Sequence, residues 1–336
     1  MKRITGMILL LALIAALLAG CGGSGTVSTP EPAADSAQES LEGASQNPAP
    51  DESPSPKPDG STADSPTESQ EASESAAESA AQPQESVEGT PGLAYHVSYD
   101  EVLITGLGTV TETEIVIPSH IEGIEVKGID ENAFQDTGIV SVVLPWTVKK
   151  VDEDAFARCL SLKSVTFSEG LEYIGESAFY GCRSLKAVTL PASLISAGSR
   201  AFFDCASLGS VTLLGAPEIG SKCFGNCHAL KEFTMGPGTE WGYSVGDDAF
   251  YECVSLETIR FAEGLHRLGN YALAYTSGLK TVYLPATLEK IGSSAFTSSA
   301  VEKVLFGGSR EQWTAVQIGS SNDPLSSAAI EYDAKG

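Results

Sequence analysis

The sequence predicts a β-rich solenoid of about eight stacked coils, each 22–26 residues long. Three observations carry that expectation. The pair Ala-Phe, or a degenerate copy, returns with its second residue at 134, 156, 179, 202, 224, 250, 273 and 296, in steps of 22, 23, 23, 22, 26, 23 and 23. At a fixed offset after most returns comes an alternating apolar triplet such as Val188-Thr189-Leu190, the pattern of a strand with one buried face. The 336-residue chain also divides by composition into a stretch unable to build a core and a 244-residue remainder long enough for one.

The elements follow in chain order. Lys2 and Arg3 precede an apolar run over 7–18 and the tetrapeptide Leu18-Ala19-Gly20-Cys21. A basic start, a short apolar segment and a small-residue processing site make a signal peptide, and the run is too short for a comfortable membrane span. The tetrapeptide resembles the lipobox of bacterial lipoproteins. That resemblance implies that Cys21 is diacylglycerated and becomes the mature N-terminus, and two acyl chains anchor a protein stably where one does not.

Residues 22–92 hold 14 acids, one base, 14 Ser, 10 Pro and no aromatic. Such a segment cannot bury enough apolar surface to offset its ordering entropy and is expected to be a disordered linker. As a flexible coil it would span roughly 45–50 Å, more with proline and charge repulsion. The net charge of −24 and a pI near 4.4, with no basic stripe, exclude nucleic acid as an expected partner.

Residues 93–128 read as an N-terminal β cap, 129–306 as the repeat array and 307–336 as a C-terminal cap. Inside the array, Leu162, Leu185, Leu208, Leu230, Leu256 and Leu279 stand six positions after the phenylalanine or its substitute. The strand pair (Val188 and Leu190, for example) comes next, then a second apolar pair such as Leu171/Ile174 or Leu288/Ile291, with Gly175 or Gly292 placed as the turn. One coil cannot bury its own apolar side, so coils stack with parallel strands about 4.8 Å apart. Open solenoid ends expose an apolar face and strand edges, which the caps must cover. Trp313 reads as part of that covering.

The unit Leu-x-x-Val-x-Leu-Pro-x-x-Leu-x-x-Ile-Gly-x-x-Ala-Phe-x-x-Cys-x-x resembles the leucine-rich repeat of the BspA-like, or Treponema pallidum-type, class. The resemblance covers about 129–306. It implies a leucine-rich repeat solenoid and a bacterial surface lipoprotein concerned with adhesion to ligands on host or neighbouring cells.

Chemistry is sparse. Cys159, Cys182, Cys205, Cys227 and Cys253 all fall three residues after the repeat phenylalanine, where other coils carry Thr137, Thr276 or Ser299. A position shared by Cys, Thr and Ser reads as a buried thiol ladder; an inter-coil disulfide is the alternative. Cys223, Cys227 and His228 lack a second pair to complete a zinc site. His228 beside Cys227 does not make a thiol–imidazole dyad, because adjacent residues on a tight coil point apart. No phosphate loop, zinc-protease helix or nucleophile elbow is present. The chain is expected to be non-enzymatic, without cofactor or metal.

Candidate binding residues come from breaks in the repeat. Thr166, Thr189, Thr212 and Thr234 face outward on successive strands, and Arg260 and Tyr283 then replace threonine. The one 26-residue step inserts residues 236–243, with Trp241 and Tyr243 on a glycine-rich loop. Aromatic and arginine side chains carry much of the energy in protein contacts, so Trp241, Tyr243, Arg260 and Tyr283 are the candidate ligand contacts; a Trp241 folded back over the insertion is the alternative. The expected partners are a protein or glycan ligand and, through the lipid on Cys21, the membrane. A cell-envelope scaffold without an external ligand is the second reading.

Overall fold

The computed structural model describes residues 88–238 and 242–334. Cys21, the linker as far as residue 87, and Trp241 lie outside the described residues. What is described is a parallel β-solenoid of about ten turns, built from two strands per coil.

The first strand of each coil is the alternating triplet. In Ala187–Leu190, Val188 and Leu190 are buried while Ala187 and Thr189 face solvent. The pairing is parallel and in register, so Val188, Val211 and Phe233 line one inward row. Seven such strands, from Ala187–Leu190 to Ala329–Glu331, form one sheet; Glu114–Val116, Ser141–Val143 and Ser164–Thr166 form another. The array therefore has ten rungs on this face. Eight units are legible in the repeat, and the two further rungs, Glu114–Val116 and Ala329–Glu331, lie in segments expected as caps.

The second apolar pair of each coil is also a strand, which its spacing of three did not announce. Lys150–Val151, Tyr173–Ile174, Ser196–Ala197 and their successors, down to Gln317–Ile318, pair side by side in a twelve-stranded sheet. At the N-terminal end that sheet begins with an antiparallel hairpin, Ala94–Ser98 against Glu101–Gly106.

Between the sheets runs a stack of rings. Phe134, Phe156, Phe179, Phe202, Phe224 and Phe250 follow one another at centroid separations of 5.0–5.5 Å with nearly parallel planes. Each stacked pair adds about 0.5–1.5 kcal/mol beyond the area it buries. Leu273 interrupts the stack before Phe296, and both are fully buried.

Sharp corners flank every Ala-Phe pair. Asn132 and Asp136, Asp154 and Arg158, Arg200 and Asp204, Lys222 and Asn226, and Asp248 and Glu252 all have φ between 52° and 59°. Left-handed backbone costs a side-chain-bearing residue roughly 1–2 kcal/mol. Each of these residues donates its backbone N–H to a carbonyl of the next coil, for example Asp154 to Glu176 at 3.0 Å and Arg158 to Tyr180 at 2.7 Å. Satisfying otherwise orphaned N–H groups offsets the strain.

The glycines placed at turns by the sequence have a different purpose. Gly175, Gly198, Gly269 and Gly292 do not adopt left-handed backbone, and a Cβ on Gly198 would lie 2.7 Å from the carbonyl carbon of Gly175. The same atom on Gly292 would lie 2.5 Å from that of Gly269. These positions are glycine because successive coils touch there, backbone to backbone.

The C-terminal end closes with the helix Arg310–Ala315, held by a capping box between Ser309 and Gln312. Its Trp313 is buried and sits edge-on to Phe306 with centroids 5.1 Å apart. The expectation that this ring packs the cap agrees with the geometry.

Candidate functional site

The outward row of the first strands is threonine over Thr189, Thr212 and Thr234, then Arg260, Tyr283 and Leu305. Parallel pairing sets Arg260 directly beside Tyr283. The guanidinium carbon lies 3.7 Å from the centroid of the Tyr283 ring. This cation–π contact contributes about 0.5–1 kcal/mol at an exposed site. Among the described residues no carboxylate pairs with Arg260.

The pair opens onto a groove of about 330 Å³, completed by Gly236 and Pro237 of the insertion together with Phe261, Glu263, Pro285 and Leu305. Glu263 accepts a hydrogen bond from the Ala286 N–H at 3.4 Å, which steadies the groove's carboxylate. The groove therefore offers a stacked cation, an anion and two proline faces within one depression. It can hold an extended polar segment but has no nucleophile or paired acid and base for bond making.

Tyr243 must be corrected. It is not on an exposed loop but begins the strand Tyr243–Val245 and is only 2% exposed. Its hydroxyl donates to the carbonyl of Ala262 at 3.0 Å, and burial raises its pKa. Ala262 lines the groove, so Tyr243 supports the groove from beneath and cannot touch a ligand. An aromatic after glycines reads as a loop residue in sequence; only the pairing of Tyr243 with Leu265 shows the strand. Sequence reasoning missed the lining residues Phe261, Glu263, Pro285 and Leu305; of these, the alternation Val304-Leu305-Phe306 would have found Leu305.

The cysteine ladder is present as thiols. Cys159, Cys182, Cys205, Cys227 and Cys253 are buried and free. Each S–H donates to the carbonyl of the phenylalanine one coil back, at 3.0–3.3 Å. Burial pushes all five pKa values up, that of Cys253 to about 12. Cys227 is thus a protonated structural thiol, while the His228 ring turns to Glu252 at 3.6 Å. No group of three or more His, Cys, Asp or Glu side chains among the described residues is arranged to hold a metal ion. Likewise, no helix among them is long and apolar enough to cross a membrane.

Stacked coils with a strand row on one face and an outward groove define a repeat solenoid of the leucine-rich class. Residues 127–240 and 215–315, together more than half of the chain, match the family described as "BspA type Leucine rich repeat region (6 copies)". The chain belongs to that family. Among solved structures it is similar to a leucine-rich repeat protein from Bacteroides ovatus, at 22% identity over 73% of this chain and 70% of that one, with a TM-score of 0.49. It is similar also to the leucine-rich repeat protein of T. pallidum, at 26% identity over 63% of this chain and 89% of that one, TM-score 0.47. A third, described as a leucine rich cell surface protein of Faecalibacterium prausnitzii, is 20% identical over 70% of this chain and 98% of that one, TM-score 0.32. No curated protein matches the chain.

Proposed function

We propose that this chain is a non-catalytic binding module, lipid-anchored outside the cytoplasm, that recognises a protein or glycan ligand through the groove at Arg260 and Tyr283. In this reading residues 1–21 export the chain and supply the acyl anchor at Cys21. Residues 22–92 then act as an acidic spacer, which anionic headgroups repel, so the solenoid stands off from the membrane. The observation that carries the binding site is the stacked Arg260–Tyr283 pair, which interrupts a row of threonines with two of the residue types enriched at binding hot spots.

Beads coated with the full chain should adhere to host or neighbouring cells, or to immobilised glycans from their surfaces. The double change Arg260→Ala, Tyr283→Ala should weaken adhesion tenfold or more, about 1.4 kcal/mol, with the melting temperature nearly unchanged. Thr189→Ala, in the same outward row but outside the groove, should do little. Equal adhesion by the double mutant would move the contact elsewhere on the solenoid, and no adhesion to any surface would favour an envelope scaffold.

A further inference from the structure

The residue after each inward phenylalanine forms a second row, along the corner edge of the solenoid: Ala157, Tyr180, Phe203, Gly225, Tyr251. Backbone bonds keep this row in step, with Gly181 N–H donating to Phe203, Asp204 to Gly225 and Asn226 to Tyr251 at 2.8–3.0 Å. Tyr180 and Phe203 stack with centroids 5.8 Å apart and planes within 2°, which covers one face of Phe203. The residue due against the other face is Gly225, and it has no side chain. A Cβ there would lie 3.0 Å from Cδ2 and Cε2 of Phe203, so the ring rests against the glycine and a side chain at 225 would have to push it aside. Tyr251 stands one coil further on.

The result is a notch of about 340 Å³ between Phe203 and Tyr251, rimmed by Lys222, Asn226, Asp248 and Glu252. Two coil spacings separate the backbones that carry the two rings by about 10 Å. Stacked groups sit roughly 4.5–7 Å apart, so one ring fits between the two aromatics at the close end of that range. The carboxamide Oδ1 of Asn226 is buried without a hydrogen-bond partner among the described residues.

We propose that this notch binds a neutral pyranose, as one unit of a saccharide, sandwiched between Phe203 and Tyr251. A pyranose presents axial C–H groups to an aromatic ring on both faces and carries hydroxyls around its edge. Those hydroxyls both donate and accept, so they can meet an ammonium, an amide and two carboxylates at once. A purely apolar guest would leave the rim groups stripped of water and unpaired, which costs free energy. An anionic guest would face Asp248 and Glu252 on a chain of net charge −24. The notch shares no lining residue with the groove at Arg260 and Tyr283, so its occupancy does not depend on that site.

Saturation-transfer NMR on the full chain tests this, with free glucose, galactose, N-acetylglucosamine, cellobiose and lactose as probes. Transfer to the axial ring protons of at least one sugar is expected. Gly225→Tyr should reduce it below one tenth, because it fills the notch with the residue type of the flanking coils. The backbone at 225 is not left-handed and the nearest backbone atom to its Cβ site is 3.5 Å away, so the fold should tolerate the change once Phe203 yields slightly. Should that variant fail to fold, Tyr251→Ala removes one wall and should cut transfer at least fivefold. Absence of transfer from all five sugars, or equal transfer in whichever variants fold, would overturn the assignment. So would binding of p-cresol in place of every sugar, which would make the notch a receptor for aromatic side chains.

Discussion

At the scale of single residues, the thiol row shows why a cysteine can be structural without a disulfide. The S–H bonds from Cys159 through Cys253 tie each coil to the one before it. Thr137 and Thr276 instead bond the carbonyl of their own coil, at 2.7 Å. Cysteine suits the inner coils because a buried thiol is nearly apolar and loses little when desolvated. This has a pH consequence. An unfolded thiol titrates near 8.5, whereas Cys253 folded does so at about 12. The native state therefore holds its proton where the unfolded state releases it. Stability is complete below about pH 8.5 and falls as pH rises toward 12, by at most about 1.4 kcal/mol per pH unit for each such thiol. Denaturant midpoints of the full chain should decline from pH 8 to 10, and Cys253→Thr should flatten part of that slope. A midpoint constant across the range would contradict the thiol assignment.

Elements join through contacts that leave no space. Along the glycine row the backbones of successive coils meet, so a methyl group has nowhere to go. Gly198→Ala places a Cβ 2.7 Å from the Gly175 carbonyl carbon and 2.9 Å from the Glu176 nitrogen. Neither is a flexible side chain, so the coils must part locally at a cost of about 1–3 kcal/mol. In an array where each coil contacts only its neighbours, that cost weakens the interface on both sides. Gly209 provides the contrast, since its nearest atom would be 3.6 Å away and its backbone is not left-handed. Gly209→Ala should be neutral or stabilise by about 0.4–1 kcal/mol through the unfolded state. Urea titration of the two variants checks both signs, and equal stability for the pair would remove the close-approach explanation.

For the molecule as a whole, the proposed anchor and spacer decide where the solenoid works. A net charge of −13 on residues 22–92 and again on 93–336 disfavours contact with anionic surfaces, so in the proposed reading attachment rests on the lipid at Cys21. Cys21→Ser should abolish fatty-acid labelling and leave unprocessed or mislocalised chain, as metabolic labelling and cell fractionation would show. Label persisting on the mutant would sink the lipobox reading.

The repeat, its strand and its inward residues are legible in sequence because one weak preference recurs eight times in register. Val188, Leu190 and Phe179 announce their burial by position alone. The Arg260–Tyr283 pair was legible for the same reason, as a departure from a regular row. Other features depend on how one coil lies against the next, and a single coil carries no trace of them. Gly198 looks like a turn residue until the backbone of Gly175 is seen against it. Tyr243 looks exposed until its strand pairs with Leu265 and its hydroxyl finds Ala262. The notch at Gly225 exists only because stacking brings Phe203 and Tyr251 to either side of a missing side chain. Sequence determined the period and the buried face, which are properties of one coil repeated. Tertiary structure decided close approach, the strand at Tyr243 and the notch, because each is a relation between residues 20 or more positions apart that only stacking makes neighbours.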